Sequence, residues 1–277
     1  MVRLGVCLKW VPIRTEVDPL TGASYLDPRF TGTSAADQAA LEWALLLAQE
    51  PGSAVVAVCA GPAGADAVLR DALAAGADRA VRVDLPCDAP SEVVAAALAP
   101  VVAGLDVVCC GDYSLDRGTG SVPSFLAAEL GASQALGLVE VAVAPADPGG
   151  GVRAVRRLDQ GRREVLSVPG PAVLSFEGGR ELRRASLPRV LASRTAPVEV
   201  VAASTHAPRW SVREVGRGPY RPRARVLPPP AGDTRDRVLA LTGALVERTP
   251  PQLLELEPAE AAQAIVEQLR ALVHLQG

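Results

Sequence analysis

Residues 105–131, LDVVCC followed by GDYSLDRGTGSVPSFLAAELG, carry the transition on which the fold reading turns. Leu105–Cys110 is a short apolar run with little polar interruption, as expected of a strand buried on both faces. Small and polar residues then crowd Gly111–Ser121, and Asp116–Leu130 begins as a loop and becomes a helix. A strand, a small-residue loop and a helix, in that order, form the repeating unit of a parallel sheet with helical crossovers.

The same alternation extends toward the N-terminus. Val2–Val11 reads as a buried strand, and Asp37–Gln49 has helical periodicity, with Ser34 as a possible cap and Pro51-Gly52 as a stop. Ala54–Ala60 is a second central strand ended by Gly61-Pro62, and Ala65–Ala75 a helix closed by Gly76. Ala80–Val83 and Pro90–Ala103 complete the run as strand and helix. Beyond residue 137 the pattern changes: Leu138–Val143, Val152–Leu158 and Arg163–Val168 are separated by DPGGG and DQGR, which are hairpin signals, and Ala172–Phe176 is one more apolar strand. The fold class is therefore α/β, a doubly wound, mainly parallel sheet with an antiparallel extension.

Residues 206–235 are rich in Pro and Arg and show neither strand nor helix period, so they read as an extended arm, with Trp210 and Tyr220 for packing. Helices are expected over Thr234–Glu247 and Pro258–Leu275. The organisation is a nucleotide-binding α/β domain over 1–205, the arm over 206–235 and a C-terminal helical segment over 236–277. The last helix docks either on a partner or on its own domain.

The chain has 277 residues, a 49% hydrophobic and 21% charged composition and a formal net charge of −3. That balance gives no basic field for nucleic acid. No apolar run is long enough for membrane insertion and the N-terminus has no signal-peptide pattern, so a cytoplasmic location is expected. Lys9 is the single lysine among 28 basic residues, a bias typical of a GC-rich bacterial genome. Cys7, Cys59, Cys87, Cys109 and Cys110 form no CxxC pair and read as small buried apolar side chains in a reducing compartment, with no metal site expected. The only histidines, His206 and His274, fall in the C-terminal quarter, which argues against a Ser-His or Cys-His catalytic pair.

The loop after Cys110 emerges at the carboxyl edge of the sheet, where open α/β sheets bind ligands. Its small residues let a phosphate approach the backbone, the helix start offers unpaired N–H donors, and Arg117 could add a charge contact. Taken alone the segment is equally a well-capped helix start; it is neither a P-loop nor a Rossmann fingerprint. Thr33–Asp37 is either an N-cap or a second ligand contact, and Ala60-Gly61-Pro62 is a third candidate. A doubly wound sheet brings all three to one rim.

Leu8-Lys9-Trp10-Val11, TSAADQAALEWAL, VAVCAGP, DALAAGADRAVRV and GDYSLDRGTGSVPSFLAAELG occur in the order and spacing of electron transfer flavoprotein beta subunits, which this chain resembles over residues 2–200. GPAVLSF and RRASLPRVLASR resemble that family's signature region, with Leu187-Pro188 at its Leu-Pro position. The resemblance implies an adenine nucleotide alpha hydrolase-like fold and an electron-carrier subunit without catalytic residues of its own. It implies a heterodimer with an alpha subunit that holds most of the redox-active FAD, with AMP as a structural ligand of this chain, or a second FAD in the bifurcating branch. Dehydrogenases would donate electrons and a quinone-linked acceptor would receive them. By position, the nucleotide would contact Cys7, Ser34, Ala35, Ala36, Asp37 and Ala60. It would also contact the loop Gly111, Asp112, Tyr113, Ser114, Leu115, Asp116, Arg117, Gly118, Thr119, Gly120, Ser121 and Val122, with Asp116, Thr119, Gly120 and Ser121 nearest the phosphate. Partner docking falls on about Glu177–Ser186, with Leu182, Arg183 and Arg184.

The chain departs from the family pattern at Asp116-Arg117-Gly118, where an acidic run is usual, and at Ser34-Ala35, where Asn-Pro is usual. EGGRELRRA likewise replaces the usual docking sequence. The absence of the bifurcating phosphate-loop pattern favours AMP over a second flavin, and a divergent member fits, serving a dedicated system such as the mycofactocin-associated dehydrogenases. The rivals are a free-standing ATP sensor on a similar sheet, and a hydrolase or ligase whose metal would need Asp112 and Asp116. The arm's Arg209, Arg213, Arg217, Arg221, Arg223 and Arg225 would face the flavin or the partner, or be solvated linker charges. If the arm wraps a partner, deleting residues 206–277 abolishes heterodimer formation; a pull-down in which the truncated chain still binds tightly would count against it.

Overall fold

The computed structural model describes residues 2–18, 20–21, 24–49, 51–143, 151–203, 212–213, 231–242 and 256–271. His206, Trp210, Tyr220, His274, the DPGGG turn up to Gly150 and the arm's arginines other than Arg213 lie outside them. The chain divides into two compact units, Met1–Glu214 and Val215–Gly277.

In the first unit, β1 (Arg3–Leu8) leads into two small antiparallel ribbons, β2 (Val11–Pro12) with β5 (Thr31–Gly32) and β3 (Thr15–Val17) with β4 (Ser24–Leu26). Then follow α1 (Ala35–Leu47), β6 (Ala54–Gly61), α2 (Asp66–Ala75), β7 (Arg79–Asp84), α3 (Ser91–Val102), β8 (Val107–Gly111), α4 (Val122–Leu130), β9 (Ser133–Val143), β10 (Val152–Arg157), β11 (Arg163–Val168), β12 (Ala172–Phe176), α5 (Leu187–Ser193) and β13 (Glu199–Ala202). One sheet of nine strands runs β11-β10-β9-β12-β8-β1-β6-β7-β13. It is parallel from β9 through to β13, and β10 and β11 add the antiparallel extension. The chain winds outward from β1 to β7, then α3 returns it to the other side of β1, so the strand order reverses between β1 and β8. In the second unit, α6 (Thr234–Thr242) and α7 (Pro258–Ala271) occupy the positions where helices were expected, within the described residues.

The central strands are continuous apolar runs because helices cover both faces. Leu4, Val6 and Leu8 of β1 join the core under α1 and α2, while Cys7 joins the core under α3 and α4. Period-two alternation likewise sends the neighbours Cys109 and Cys110 to opposite layers. Helix α1 is apolar nearly all round, as suits a helix enclosed on several sides. The β12–α5 segment folds over it: Leu182 packs against the α1 core, and the Arg180 guanidinium lies 4.3 Å from the centre of the Trp43 ring. Trp43 in turn stacks on Phe176 at 6.1 Å.

Several expectations need correcting. The first strand ends at Leu8, and Lys9 and Trp10 turn away, the Trp10 ring lying against Gly64. Strand β9 begins at Ser133 rather than Leu138, because Ser133–Ala135 pairs in parallel with β12. Helix α5 and edge strand β13 had no strong periodicity to announce them. Cys87 is exposed, unlike the other four cysteines, since it sits on the turn after β7 and not in a strand.

Gly111, at the end of β8, is where the start of α1 comes closest. A Cβ there would lie 2.5 Å from Asp37 Oδ1 and 2.8 Å from the Asp37 backbone nitrogen, so the helix backbone itself would have to move. Gly179 has nothing within 4 Å of such a Cβ. Chemical denaturation of the two alanine variants should separate them: Gly111→Ala is expected to lose about 1–3 kcal/mol, and Gly179→Ala less than about 0.5 kcal/mol.

Candidate functional site

The reversal of strand order between β1 and β8 leaves a crevice at their carboxyl ends, the general ligand position of open α/β sheets. An open cleft lies there. Its floor is Cys7, Ala60, Cys110 and Gly111; one wall is the turn Pro86–Ala89 with Ser91, Val94 and Leu98 of α3, and the other is the β8–α4 loop.

Three segments are tied together at the rim. The Ser34 hydroxyl caps α1, accepting from the Asp37 backbone N–H at 3.0 Å, and donates to the Tyr113 carbonyl at 3.1 Å. The Asp37 carboxyl accepts from the Lys9 backbone N–H at 3.3 Å. The Lys9 ammonium spans to Asp116 at 2.6 Å and to the Ser114 hydroxyl at 3.4 Å. The end of β1, the start of α1 and the β8–α4 loop thus form one cross-linked rim.

The β8–α4 loop takes its shape from two glycines in the left-handed region, Gly118 (φ 61) and Gly120 (φ 59). A Cβ on Gly120 would meet the Asp112 carbonyl oxygen at 2.3 Å, so conformation and space both demand glycine there. Ser121 stands at the N-cap of α4 without capping it; its hydroxyl pairs with that of Thr119 at 3.0 Å. The start of α4 has no side-chain cap and Thr119–Pro123 line the cleft; Pro123 carries no N–H, which leaves the Val122 and Ser124 amides of the first turn as donors suited to an anion.

Of the residues expected from the sequence, Cys7, Asp37, Ala60, Gly111, Tyr113, Ser114, Arg117, Thr119, Gly120, Ser121 and Val122 line this cleft. Ser34 and Ala36 are buried beneath it, and Ala35 faces Gly178. Asp112, Leu115, Asp116 and Gly118 shape the loop without lining the cleft. Asp116 holds Lys9, while Asp112 stands beside Glu177, and burial and that charge both raise its carboxyl. Leu8, Lys9, the Pro86–Ala89 turn and the α3 side chains were not foreseen, because they reach the cleft through strand order. On the far side of α1, Arg183 donates to Glu42 through its backbone N–H at 3.0 Å and its guanidinium at 2.9 Å. Burial alone would raise the Glu42 carboxyl, but Arg183 holds it below its ordinary range. Arg184 is exposed.

The Cys110 thiol on the floor and the neighbouring Cys59 thiol are protonated at neutral pH. Burial pushes the Cys59 thiol up to about 12, and the hydrogen bond with Cys7, then burial, raises Cys110. These thiols are poor nucleophiles at neutral pH. Among the described residues no group of three or more His, Cys, Asp or Glu could hold a metal ion, and no helix is long and apolar enough to cross a membrane.

The family model for the electron transfer flavoprotein domain matches residues 32–206. Protein FixA of Azorhizobium caulinodans is 32% identical over 228 residues, 78% of this chain and 77% of that protein. The electron transfer flavoprotein subunit beta of Syntrophomonas wolfei is 32% identical, over 67% of this chain and 73% of its own length. Subunit CarD of the caffeyl-CoA reductase-Etf complex of Acetobacterium woodii is 33% identical over 47% of this chain and 52% of its own.

Asp37 yields a pH prediction. Burial raises its carboxyl to about 7, against the opposing hydrogen bonds from Lys9, Ser34 and Gly111. The folded chain then holds a proton that the unfolded chain releases near pH 4, so this group's contribution is complete below that pH and is lost as pH rises toward 7. Asp37→Asn should remove that decline. Denaturation midpoints of the two proteins, compared from pH 4 to 8, should diverge by on the order of 4 kcal/mol at about 1.4 kcal/mol per pH unit; parallel curves would refute it.

Proposed function

The chain belongs to the electron transfer flavoprotein family, on the beta-subunit side, and from that premise we propose that it binds AMP in the cleft between β1 and β8 and helps an alpha-type partner hold FAD. As a family member it is an electron-transfer subunit that works within a complex. The finer reading is a heterodimer that takes electrons from dehydrogenases and delivers them to a quinone-linked acceptor, with the arm and C-terminal helices docked on the alpha subunit.

The observation that carries this reading is the uncapped start of α4 at the edge of a largely apolar cleft, at the point where strand order reverses. The phosphate would lie at Thr119–Val122, beside the uncapped start of α4 and the paired Thr119 and Ser121 hydroxyls. The nucleoside would lie over Cys7, Ala60 and Cys110 against Val94 and Leu98, a neutral surface suited to a flat base. The bound flavin supplies the electron chemistry, and the protein supplies position and surroundings. An ATP sensor fits less well, since a triphosphate asks for free cations: Lys9 is paired with Asp116, and Arg117 is bonded to backbone carbonyls. A metal-dependent hydrolase fits less well too, since Asp112 is not in the lining.

Co-expression with the neighbouring alpha-type gene, followed by denaturation of the purified complex and identification of the released nucleotides, tests the proposal. One FAD and one AMP per heterodimer is the expected result. Two FADs would replace AMP by a second flavin; a lone chain carrying ATP, or nothing, would overturn the carrier reading.

A further inference from the structure

The two walls of the cleft are joined by one side chain. Arg117, on the β8–α4 loop, donates through Nη1 to the Ala89 carbonyl at 2.9 Å and through Nη2 to the Asp88 carbonyl, on the turn that precedes α3. Both Arg117 and Ala89 line the cleft. We propose that Arg117 is a strap across the cleft mouth that governs how fast the bound nucleotide leaves, a role that rests on the nucleotide reading given above.

The surroundings of Arg117 suit that role. Its acceptors sit on a stiff turn: the Ala89 N–H donates to the Pro86 carbonyl at 3.2 Å, and Pro86 and Pro90 each fix their own φ. On its own side the preceding residue, Asp116, is anchored by Lys9, and the following residue, Gly118, is in the left-handed conformation. The guanidinium is thus aimed from a fixed point toward a rigid target, with a permissive residue directly beyond it. A planar fork reaching two backbone oxygens is a charge-assisted, geometrically specific contact. It is nevertheless exposed to solvent, so it opens at modest cost. A contact of that kind leaves the floor of a cleft unchanged and acts on entry and exit. The nucleotide behind it is a resident ligand, exchanging slowly, rather than one sampled from solution.

The test uses the complex with the alpha-type partner, loaded with radiolabelled AMP and chased with unlabelled AMP. Arg117→Ala is expected to speed exchange about tenfold, as for loss of about one charge-assisted hydrogen bond. Arg117→Lys, which keeps the charge but cannot fork, should fall between, and it carries the test if the alanine variant melts markedly lower. Exchange at the wild-type rate in both variants would overturn the strap and leave the nucleotide reading standing. Failure of the wild-type complex to hold labelled AMP would overturn the nucleotide reading, and the strap with it.

Discussion

The rim of the cleft depends on a carboxyl group with almost no access to water. Asp37 sits at the start of α1, accepts from the end of β1, and lies so close to Gly111 that no side chain fits between them. Ser34, three residues earlier, caps the helix and reaches the β8–α4 loop. Because these contacts join a strand end, a helix start and a loop far apart in sequence, the cleft is positioned by the folded core and not by its own loops. Burying a carboxyl in this way is costly unless it is protonated or well supplied with donors; Asp37 has donors in Lys9, Ser34 and Gly111, and because burial outweighs them it also keeps its proton toward pH 7.

Much of this could be seen in the sequence. Buried parallel strands advertise themselves as unbroken apolar runs, and β6, β8 and β12 lie where those runs do. The Ser34 cap was legible because a serine three residues ahead of an aspartate, before an apolar helix, has a local meaning. The turn over Asp159–Gly161 was legible for the same kind of reason, with Gln160 and Gly161 both in the left-handed region.

What escaped the sequence is what depends on distant partners. Lys9 and Asp116 are 107 residues apart, and nothing local marks them as a pair. Arg117 read as a charge contact for a phosphate, and its acceptors within this chain are backbone oxygens, which have no sequence signature. Leu182 and Arg183 read as surface for a partner; their contacts within this chain, Leu182 on the α1 core and Arg183 on Glu42, have no local signature. Edge strand β13 and helix α5 are short and mostly exposed, so their residues carry little of the periodicity that burial imposes.

Helix α1 meets both the rim and the segment that folds over its far side, through Asp37 near its start and Glu42 one and a half turns further on. At about 1.5 Å of rise per residue, the spacing between those attachment points is set by the pitch of a well-packed helix and not by the slack of two loops. Electron tunnelling falls off steeply with distance, so a carrier benefits from parts held at a constant separation. Here α1 acts as a gauge bar: thermal motion can shift the whole bar against its neighbours, but it cannot easily change the interval marked along it.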